Sequence, residues 1–436
     1  MALGGGTFLV QNKELPGAYI NFVSKSAASE ILSERGIATM PLELDWGISG
    51  EIFEVSGQDF KENSREIFGY EYTSDKMKGL RDLFLNARTL YGYRLNGNGR
   101  RAGNDLAEAV CPGVRGNDLK IVIQTNEEDE TLFDVTTVLE TAVVDRQTVL
   151  SGADLKDNKF VTWKSGITLE ATAGIPLTGG DNGEVSGADH QAYLDRAESY
   201  TFHTMGVAVT DDATKSLYAA YSRRMRDEIG VKFQLVLYDY AKADYMGVIS
   251  VNNRVLDEGW SEAGLVYWVT GAAAGCAVNK SSQNRKYDGS FTVETPYTQK
   301  QLKAAIREGK FTFHLVGGDV RVLEDINTMV TASDTLGDIF KDNQTVRVID
   351  QIGNDIAVLF NTKYLGVVPN DAAGRISLWS DIVKHHERLQ EMRAIENFSN
   401  ADVKVEPGDS KKSVVVTDLV TVVNAMGKLY MTVTVA

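Results

Sequence analysis

Alternating apolar and polar residues mark both ends of the chain. Residues 412–436 read KSVVVTDLVTVVNAMGKLYMTVTVA, two β-branched stretches around an Asn-Ala-Met-Gly turn. In the second stretch every other residue is apolar, which is the two-residue period of a strand. These apolar positions are Leu429, Met431, Val433 and Val435. An apolar strand at a free terminus must find a partner strand or it becomes a sticky edge, so the pattern predicts that this segment joins a sheet.

The first residues of the chain have the same character. The segment ELPGAYINFVSK at 14–25 follows the glycine-rich MALGGGTF and is typical of a short extended arm. The residues that we assign to this arm are Leu15, Pro16, Tyr19, Ile20 and Phe22. We expect both ends of the chain to act as strands that join a sheet.

The next part of the chain is predicted to be rich in β structure. PLELDWGISGEIFEV at 41–55 indicates strands broken by two glycines, and apolar residues at helical spacing follow at 75–88. The glycine-rich segment 94–105 marks a boundary. Beyond this boundary, strand-like stretches separated by turn residues predict a small β-sandwich over 96–177.

Residues 178–330 alternate between helical and strand patterns. Helical spacing of apolar residues, or an alanine-rich composition, indicates helices at 189–201, 212–229, 262–278 and 298–308. The continuous apolar runs at 231–238 and 246–251 are typical of strands buried on both faces of a parallel sheet. The alternation of the two patterns predicts an α/β layer structure.

The remaining pattern predicts an α+β unit. Two stretches that flank Gly317-Gly318-Asp319 form a predicted hairpin, and long amphipathic helices are expected at 342–362 and 371–393. Together with the terminal strands, these helices make up a predicted C-terminal α+β domain.

Composition excludes several classes of protein. The 436 residues suffice for about two to four domains, and a hydrophobic content of 43% is enough to form cores. The net charge of -15 argues against nucleic-acid binding, because a phosphate backbone requires clustered Lys and Arg. No apolar run approaches the ~20 residues of a membrane span, and the first residues lack the pattern of a signal peptide. Cys111 and Cys276 fit no disulfide or metal pattern, so folding in a reducing cytoplasm is the simplest interpretation.

The negative charge is concentrated in one block. Residues 104–190 contain 16 acidic and 6 basic residues, so two thirds of the net charge of -15 lies in one fifth of the chain. Residues 1–30 and 401–436 each balance their charges. We expect the acidic block to face solvent and the neutral ends to dock without repulsion.

Catalytic and metal-binding motifs are not found in the sequence. His386-Glu387-Arg388-Leu389-Gln390 begins like a helical zinc-protease motif, but Gln390 stands where the second histidine is required. The adjacent His385 and His386 are expected to point to different helix faces, and all five histidines are interpreted as surface or satisfied core residues. No nucleophile elbow, Walker loop or dinucleotide fingerprint occurs. The sequence therefore predicts no catalytic residue, metal or cofactor.

A glycine-rich loop precedes the first predicted helix of the α/β part. Positive backbone angles explain Gly179, Gly180 and Gly183 in LTGGDNG, residues 177–183. An anion site at the helix start is the functional alternative, but Asp181 and neighbouring acidic side chains would repel an anion. The structural interpretation is therefore favoured.

Segments in the same order give the chain a resemblance to a known family. The Leu-x-Gly-Gly-x-x-Gly loop and the aromatic-bearing helix at 177–207 are similar to the segment that opens the α/β domain of contractile phage tail sheath proteins. That family also tends to begin with a Pro-Gly-aliphatic-Tyr arm, like residues 15–20, and to carry a Val-rich strand running into Asp-Ile-Asn-Thr, like residues 320–328. It closes on long helices and a terminal strand pair. The resemblance covers the whole chain and is nearest to the compact sheaths of phages and phage-tail-like bacteriocins of Gram-positive bacteria.

The resemblance implies a fold and a division into domains. Sheath proteins of this type combine a β-sandwich insertion, a subtilisin-like α/β domain without peptidase activity, and a C-terminal α+β domain with exchanged terminal strands. The implied parts are 1–30 (N-terminal arm), 31–95 (an α+β segment packing with the C-terminal domain), 96–177 (β-sandwich), 178–330 (subtilisin-like domain), 331–412 (C-terminal domain) and 413–436 (C-terminal strands).

The resemblance also implies a function. Subunits would form stacked hexameric rings around a tail tube protein, with the two arms of each subunit joining the sheets of its neighbours, and contraction would drive the tube through a cell envelope. Baseplate and tail terminator proteins are further implied partners, whereas nucleic acid, membrane insertion, cofactors and enzyme activity are not expected. Such a protein would be assembled in the cytoplasm of a bacterial host and belong to a virion or phage-tail-like particle.

The predicted helix 371–393 offers a candidate tube contact. Lys384, His385, His386 and Arg388 give it a basic end in an acidic protein, although a solvated helix face explains the same charges equally well. Two other classes stay open at this point, namely a subtilisin-like or other hydrolase and an adhesin or carbohydrate-binding protein built on the acidic β-rich block. Neither class needs two strand-like ends.

Overall fold

A seven-stranded sheet lies at the centre of residues 32–435, the residues that the computed structural model describes. Numbered along the chain, the strands are β1 (Ile37–Leu42), β2 (Ile52–Ser56), β3 (Thr89–Arg94), β4 (Ala107–Ala109), β5 (Leu119–Thr125), β6 (Phe133–Leu139), β7 (Ala142–Val149), β8 (Val161–Trp163), β9 (Thr172–Pro176), β10 (Thr204–Val207), β11 (Gln234–Tyr238), β12 (Val248–Val251), β13 (Lys310–Phe311), β14 (Phe313–Val316), β15 (Asp319–Val322), β16 (Ile395–Glu396), β17 (Val403–Pro407), β18 (Val414–Asp418) and β19 (Thr421–Val422). The helices are α1 (Gly57–Phe68), α2 (Lys78–Phe84), α3 (Gly187–Ala197), α4 (Asp212–Arg224), α5 (Leu265–Gly275), α6 (Gln299–Arg307), α7 (Asn343–Leu359) and α8 (Ala372–Glu391).

The central sheet is parallel except at one edge. Its strand order is β13-β12-β11-β10-β1-β3-β2, and β2 runs antiparallel to β3. Successive residues of β11 face two different cores: Val236 packs with α2 and α5, whereas Leu235 and Leu237 pack with α3 and α4. Apolar side chains on both faces explain the continuous apolar runs in the sequence. The sheet is therefore the middle layer of an α/β structure with helices on both sides.

Strands β1, β2 and β3 belong to this sheet, whereas residues 31–95 were expected to pack with the C-terminal domain; of this segment, Ser33 and Arg35 contact α7. β1 pairs in parallel with β10 on one side and with β3 on the other. All residues from Ala38 to Leu42 are buried, as expected for a strand covered on both faces. Helix α1, which the apolar pattern did not reveal, begins at a capping box formed by Ser56 and Asp59.

Helices α2 and α5 approach each other very closely on one face of the sheet. A Cβ atom at Gly271 of α5 would lie 2.2 Å from the carbonyl oxygen of Leu83. A Cβ atom at Gly275 would lie 2.0 Å from the carbonyl oxygen of Asn86. Glycine at these positions lets one helix touch the backbone of the other, which explains the glycine- and alanine-rich composition of α5.

The β-sandwich is built from an antiparallel sheet, order β7-β6-β5-β9, and the two-stranded ladder of β4 and β8. Both contribute to one core, in which Ile121 of β5 and Val161 of β8 are fully buried. Trp46, from the loop after β1, inserts into this core with its ring centroid 6.0 Å from that of Phe160. The sandwich is therefore packed onto the central sheet and is more than a tethered insertion.

Helix α7 joins the C-terminal part to the central sheet through buried polar groups. The guanidinium of Arg226 donates to both carboxylate oxygens of Asp350, at 2.6 and 2.7 Å, and both side chains are buried. Arg347 makes a single contact with the buried Asp325, from Nη2 to Oδ2 at 3.4 Å. Removing one partner would leave a buried charge unpaired, so these pairs hold α7 in one position on the sheet.

Two small antiparallel ladders complete the C-terminal domain. β16 pairs with β19, and β17 pairs with β18. The first of the two terminal stretches, β18, is therefore paired with residues 403–407 and not with the second stretch. The expected strand pair around the Asn-Ala-Met-Gly turn does not form within the described chain, in which β18 pairs only with β17.

Candidate assembly surface

The C-terminal tail leaves its domain at the first turn of α7. The side chain of Gln344 accepts a hydrogen bond from the backbone N–H of Ala425, at 2.9 Å, and donates to the carbonyl of Val423, at 3.0 Å. The side chain of Asn424 hydrogen-bonds to the hydroxyl of Thr345 at 3.1 Å. These contacts fix the exit of the tail. Nothing in the sequence singles out Gln344, because a glutamine in the first turn of a helix is ordinarily exposed.

Residues 426–435 pair with no other strand of the described chain. The apolar positions of the predicted strand are open to solvent, with exposed fractions of 85% for Leu429, 74% for Met431, 69% for Val433 and 89% for Val435. An alternating strand in this state has uncovered apolar side chains and main-chain groups that a sheet could pair. Its chemistry is that of a strand suited to the sheet of another chain.

The N-terminal entry to the fold is tied down by polar contacts. Outside the described residues lie the predicted arm residues Leu15, Pro16, Tyr19, Ile20 and Phe22. At the entry, the hydroxyl of Ser33 donates to the carboxylate of Asp355 at 2.6 Å, and Arg35 donates to the carbonyl of Cys276 at 2.9 Å. Burial, reinforced by a neighbouring arginine, lowers the pKa of Arg35 to about 9. No pattern in the sequence marks Ser33 and Arg35 as anchors, because their partners come from distant parts of the chain.

The two ladders of the C-terminal domain each have two strands in the part of the chain that the structure describes. Every strand in them therefore has one edge without a partner there. On β18, Val415 and Val416 are 50% and 39% exposed. Unpaired edges next to uncovered apolar side chains are the surface to which a further strand can be added.

The proposed basic end of α8 is only half exposed, which corrects part of the expected contact surface. Lys384 and Arg388 are exposed, but His385 and His386 are 1% and 0% exposed. The histidines do not point to separate faces, because their Nδ1 atoms lie 3.2 Å apart. His385 and His386 are therefore core residues with polar partners. Of the four predicted contact residues, only Lys384 and Arg388 are accessible to a partner protein.

A groove lies between the N-terminal entry and α8. Its cavity of about 760 Å³ is lined by apolar side chains such as Leu32, Val278 and Met392, and by the basic Lys384 and Arg388. The groove thus brings the exposed basic residues of α8 beside the first described residue of the chain.

The histidines of the central part have partners other than a catalytic nucleophile. Nδ1 of His190 lies 2.8 Å from the hydroxyl of Tyr218, and Nδ1 of His203 accepts from the backbone N–H of Ile37 at 3.3 Å. Burial lowers the pKa of His203 to about 3. Among residues 32–435, no three His, Cys, Asp or Glu residues are grouped so that they could hold a metal ion. No helix in this range is both long and apolar enough to cross a membrane.

The glycine-rich loop at 177–183 packs against the glycine-rich boundary segment at 94–105. The carboxylate of Asp181 accepts hydrogen bonds from the backbone and the side chain of Arg100, at 2.8 and 2.6 Å. The amide of Asn182 donates to Asp45 at 2.8 Å. Because the polar side chains of the loop bond to other residues of the chain, the loop serves to hold these segments together.

Four family models match the chain in sequence order. They are the tail sheath protein Gp18 domain III N-terminal region (residues 35–95), the phage tail sheath protein beta-sandwich domain (97–182), the phage tail sheath protein central domain (183–328) and the phage tail sheath C-terminal domain (336–436). The second match confirms the predicted β-sandwich.

Individual proteins agree with these matches. The phage-like element PBSX protein XkdK of Bacillus subtilis (strain 168) is 31% identical over 98% of this chain and 99% of that protein. The crystal structure of a sheath tail protein from Desulfitobacterium hafniense shares 35% identity and a TM-score of 0.82, over 95% of this chain and 99% of that chain. The helical sheath of the anti-feeding prophage in its contracted state has a TM-score of 0.59 at 12% identity, over 97% of this chain and 99% of that chain. This last likeness shows a common fold.

Proposed function

This chain belongs to the phage tail sheath protein family, a family of structural components of phage tails and phage-like particles, and we propose that it is the subunit of a contractile tail sheath. Its subunits would polymerise as stacked hexameric rings around a tail tube. Baseplate and tail terminator proteins would bind the two ends of the sleeve. Assembly would take place in the cytoplasm of the bacterial host.

The proposal rests mainly on the exposed terminal segment, residues 426–435. Within the described chain, the apolar face of residues 429–435 is uncovered while the ladders of the same domain have open edges. A segment without a partner strand in its own subunit can join the sheet of a neighbour. It then forms main-chain hydrogen bonds with that sheet and buries every other side chain against it. A contact that links one surface to a different surface does not close on two subunits, so it continues into rings or helices.

Strand exchange suits a machine that changes shape. The exchanged strands can hold neighbours together while the bodies of the subunits rotate, because residues 426–435 are exposed and pair with no strand of the described chain. Contraction would then be a change from an extended lattice to one that buries more surface. An extra 200 Å² or so of apolar surface per subunit contributes about 5 kcal/mol at ~25 cal/mol per Å², and the sleeve multiplies this by its number of subunits. No nucleotide is needed.

We propose that the α/β domain is subtilisin-like in fold and has no enzymatic role. The parallel sheet with helices on both faces supports this kind of fold. His190 and His203 bind a tyrosine hydroxyl and a backbone N–H instead of a serine, which supports a purely structural domain.

The two faces of the terminal strand provide the test. Met431→Asp with Val433→Asp places two charges on the face that a neighbour would bury, which should weaken each subunit contact by more than tenfold. Thr432→Asp with Thr434→Asp changes the opposite face by the same charge and serves as the control. We expect the full chain and the threonine variant to form striated cylinders in electron micrographs, and the Met431/Val433 variant to sediment as dispersed subunits. Equal polymerisation of the two variants would show that the apolar face of this segment does not join the subunits.

A further inference from the structure

The two buried histidines of α8 form a continuous chain of polar contacts. Nε2 of His385 lies 3.0 Å from Oδ2 of Asp355, and Nε2 of His386 lies 2.7 Å from Oδ2 of Asp418. The Nδ1 atoms of the two rings lie 3.2 Å apart. Three contacts therefore join four side chains in the order Asp355, His385, His386, Asp418.

These contacts fix the number of hydrogens on the two rings. A carboxylate oxygen can only accept, so each Nε2 carries a hydrogen. The contact between the Nδ1 atoms requires a hydrogen on one nitrogen and a lone pair on the other. The rings of His385 and His386 therefore hold three hydrogens between them, which makes one of them neutral and the other an imidazolium.

The carboxylate of Asp355 is in the ionised form that this count requires. Burial on its own would raise the pKa of Asp355, but hydrogen bonds from His385, Ser33 and Gln351 outweigh burial and bring the pKa below its ordinary value. The donors are Nε2 of His385 at 3.0 Å, Oγ of Ser33 at 2.6 Å and Nε2 of Gln351 at 2.8 Å.

Either a gain or a loss of one proton breaks the chain of contacts. With four ring hydrogens, two N–H donors face each other between the rings. With two, either two lone pairs face each other or one carboxylate loses its donor. Because both rings are buried, water cannot reach the contact between them without an opening of the domain, whereas the carboxylate of the exposed Asp418 can be hydrated.

Few charged groups surround the pair. Helix α7 contributes Asp355, and β18 contributes Asp418. Arg35 of the N-terminal entry donates from Nη1 to Oε1 of Gln351 at 3.5 Å, and Gln351 in turn donates to Asp355. On α8 itself the neighbouring Lys384 and Glu387 are exposed, and from the loop after β16 the ring of Phe398 covers His386. The surrounding charges are therefore mainly the two carboxylates that the rings already contact.

The network lies at the roots of both terminal segments. Ser33, the second residue of the described chain, donates to Asp355. Asp418 is the last residue of β18, from which the chain continues to the exposed tail. The same two rings thus connect the N-terminal entry with the last residue of β18, which precedes β19 and the exit of the tail.

We propose that the His385–His386 pair is a proton-dependent lock. It holds Ser33 and Asp418, the roots of the N-terminal and C-terminal segments, in place through Asp355 and the two rings. With one imidazolium the lock is closed, and with none or two it opens and loosens both roots. The lock follows from the contacts within one subunit; its effect on polymerisation rests on the proposed function.

Nitrogen NMR of the full chain labelled with ¹⁵N-histidine counts the ring hydrogens directly, in solution for dispersed subunits or in the solid state for polymers. His385→Asn and His386→Gln assign the signals. We expect three protonated ring nitrogens in the pair near neutral pH. Two or four would overturn the proposal, whether or not the chain polymerises, so this result is separate from that of the assembly test.

Limited proteolysis tests the lock itself. When the pH is moved away from neutrality in either direction, we expect cleavage of the full chain next to Ser33 and next to Asp418 to speed up about tenfold on leaving the closed state. His386→Gln can still donate to Asp418 but cannot titrate, so cleavage of its C-terminal segment should not vary with pH. His314→Gln, which changes a histidine of the β14–β15 hairpin, is the matched control and should behave like the unchanged chain. A pH response that is absent from the unchanged chain, or retained in His386→Gln, contradicts the lock; the NMR count stands as the test if that variant does not fold.

Discussion

At the scale of single residues, buried polar side chains decide how the C-terminal domain sits. The apolar repeat of the predicted helix 342–362 points to its isoleucines, yet Arg347, Asp350 and Gln351 are among the buried residues of α7. Helical periodicity identifies which residues share a face, but it cannot show that the surface opposite that face offers Arg226 and other polar partners. The histidine pair was missed for the same reason, because the partners that satisfy it come from α7 and β18.

Asp342, the N-cap of α7, leads to a prediction about pH. Burial, with a contribution from the nearby carboxylate of Asp325, raises the pKa of Asp342 from 3.8 to about 6. Between these values the folded chain keeps a proton that the unfolded chain has lost, so the free energy of unfolding decreases as the pH rises from about 4 to about 6. Asp342→Asn keeps the cap, since Asn and Asp cap equally well, and removes the titration. We expect it to flatten this decline and to stabilise the fold at neutral pH by about 1–2 kcal/mol, allowing for solvent screening.

Urea unfolding at several pH values measures this slope. Asp371→Asn makes the same change at the N-cap of α8, where Asp371 accepts from the backbone N–H of Gly374 at 2.8 Å, and is the control. It should leave the slope unchanged. If Asp342→Asn retains the slope of the unchanged chain, Asp342 is not its source.

At the scale of elements, patterns within one segment were informative and pairings between distant segments were not. The apolar runs predict β11 and β12, and helical spacing places α7 and α8 within a few residues of their bounds. The partners of β1 lie more than 50 and more than 160 residues away in the sequence, and no local pattern encodes them. The sequence therefore did not show that β1, β2 and β3 of the segment 31–95 join the central sheet.

The contact between α2 and α5 gives a prediction at this scale. Gly271→Ala would place a methyl group against the carbonyl of Leu83, 2.2 Å away, and force the helices apart. We expect a loss of about 1–3 kcal/mol in the free energy of unfolding, as for other overpacked cores, measured by urea denaturation. Gly353→Ala in α7 is the control, because its nearest neighbour would be Lys232 at 3.6 Å. The control should be neutral or slightly stabilising, since alanine favours helix more than glycine does; an equal effect of both changes would speak against close packing as the cause.

At the scale of the whole molecule, the C-terminal domain is less closed than the other parts of the described chain. The central sheet and the sandwich surround their own cores, whereas the C-terminal domain has open ladder edges and an exposed segment at 426–435 with alternating apolar residues. A sequence of one chain can show that a strand needs a partner. It cannot show which copy supplies that partner, because the answer depends on the lattice.

The exposed basic residues of α8 give a prediction about the tube. Lys384→Glu with Arg388→Glu reverses two exposed charges beside the groove at the N-terminal entry, which should reduce co-assembly with the tube protein and its salt sensitivity. Lys303→Glu, an exposed charge on α6 in the central domain, is the control. Co-sedimentation of sheath with tube measures the effect, and tube binding that is the same in all three proteins would leave these charges as an ordinary solvated face.

The most direct measurement is a cryo-EM reconstruction of the polymer that the full chain forms, at a resolution that traces residues 424–436 from one subunit to their destination. We expect Leu429, Met431 and Val433 to be buried against a ladder of the C-terminal domain of a neighbouring subunit. This expectation is contradicted if the tail folds back onto the ladders of its own subunit, or if it remains uncovered in a complete polymer.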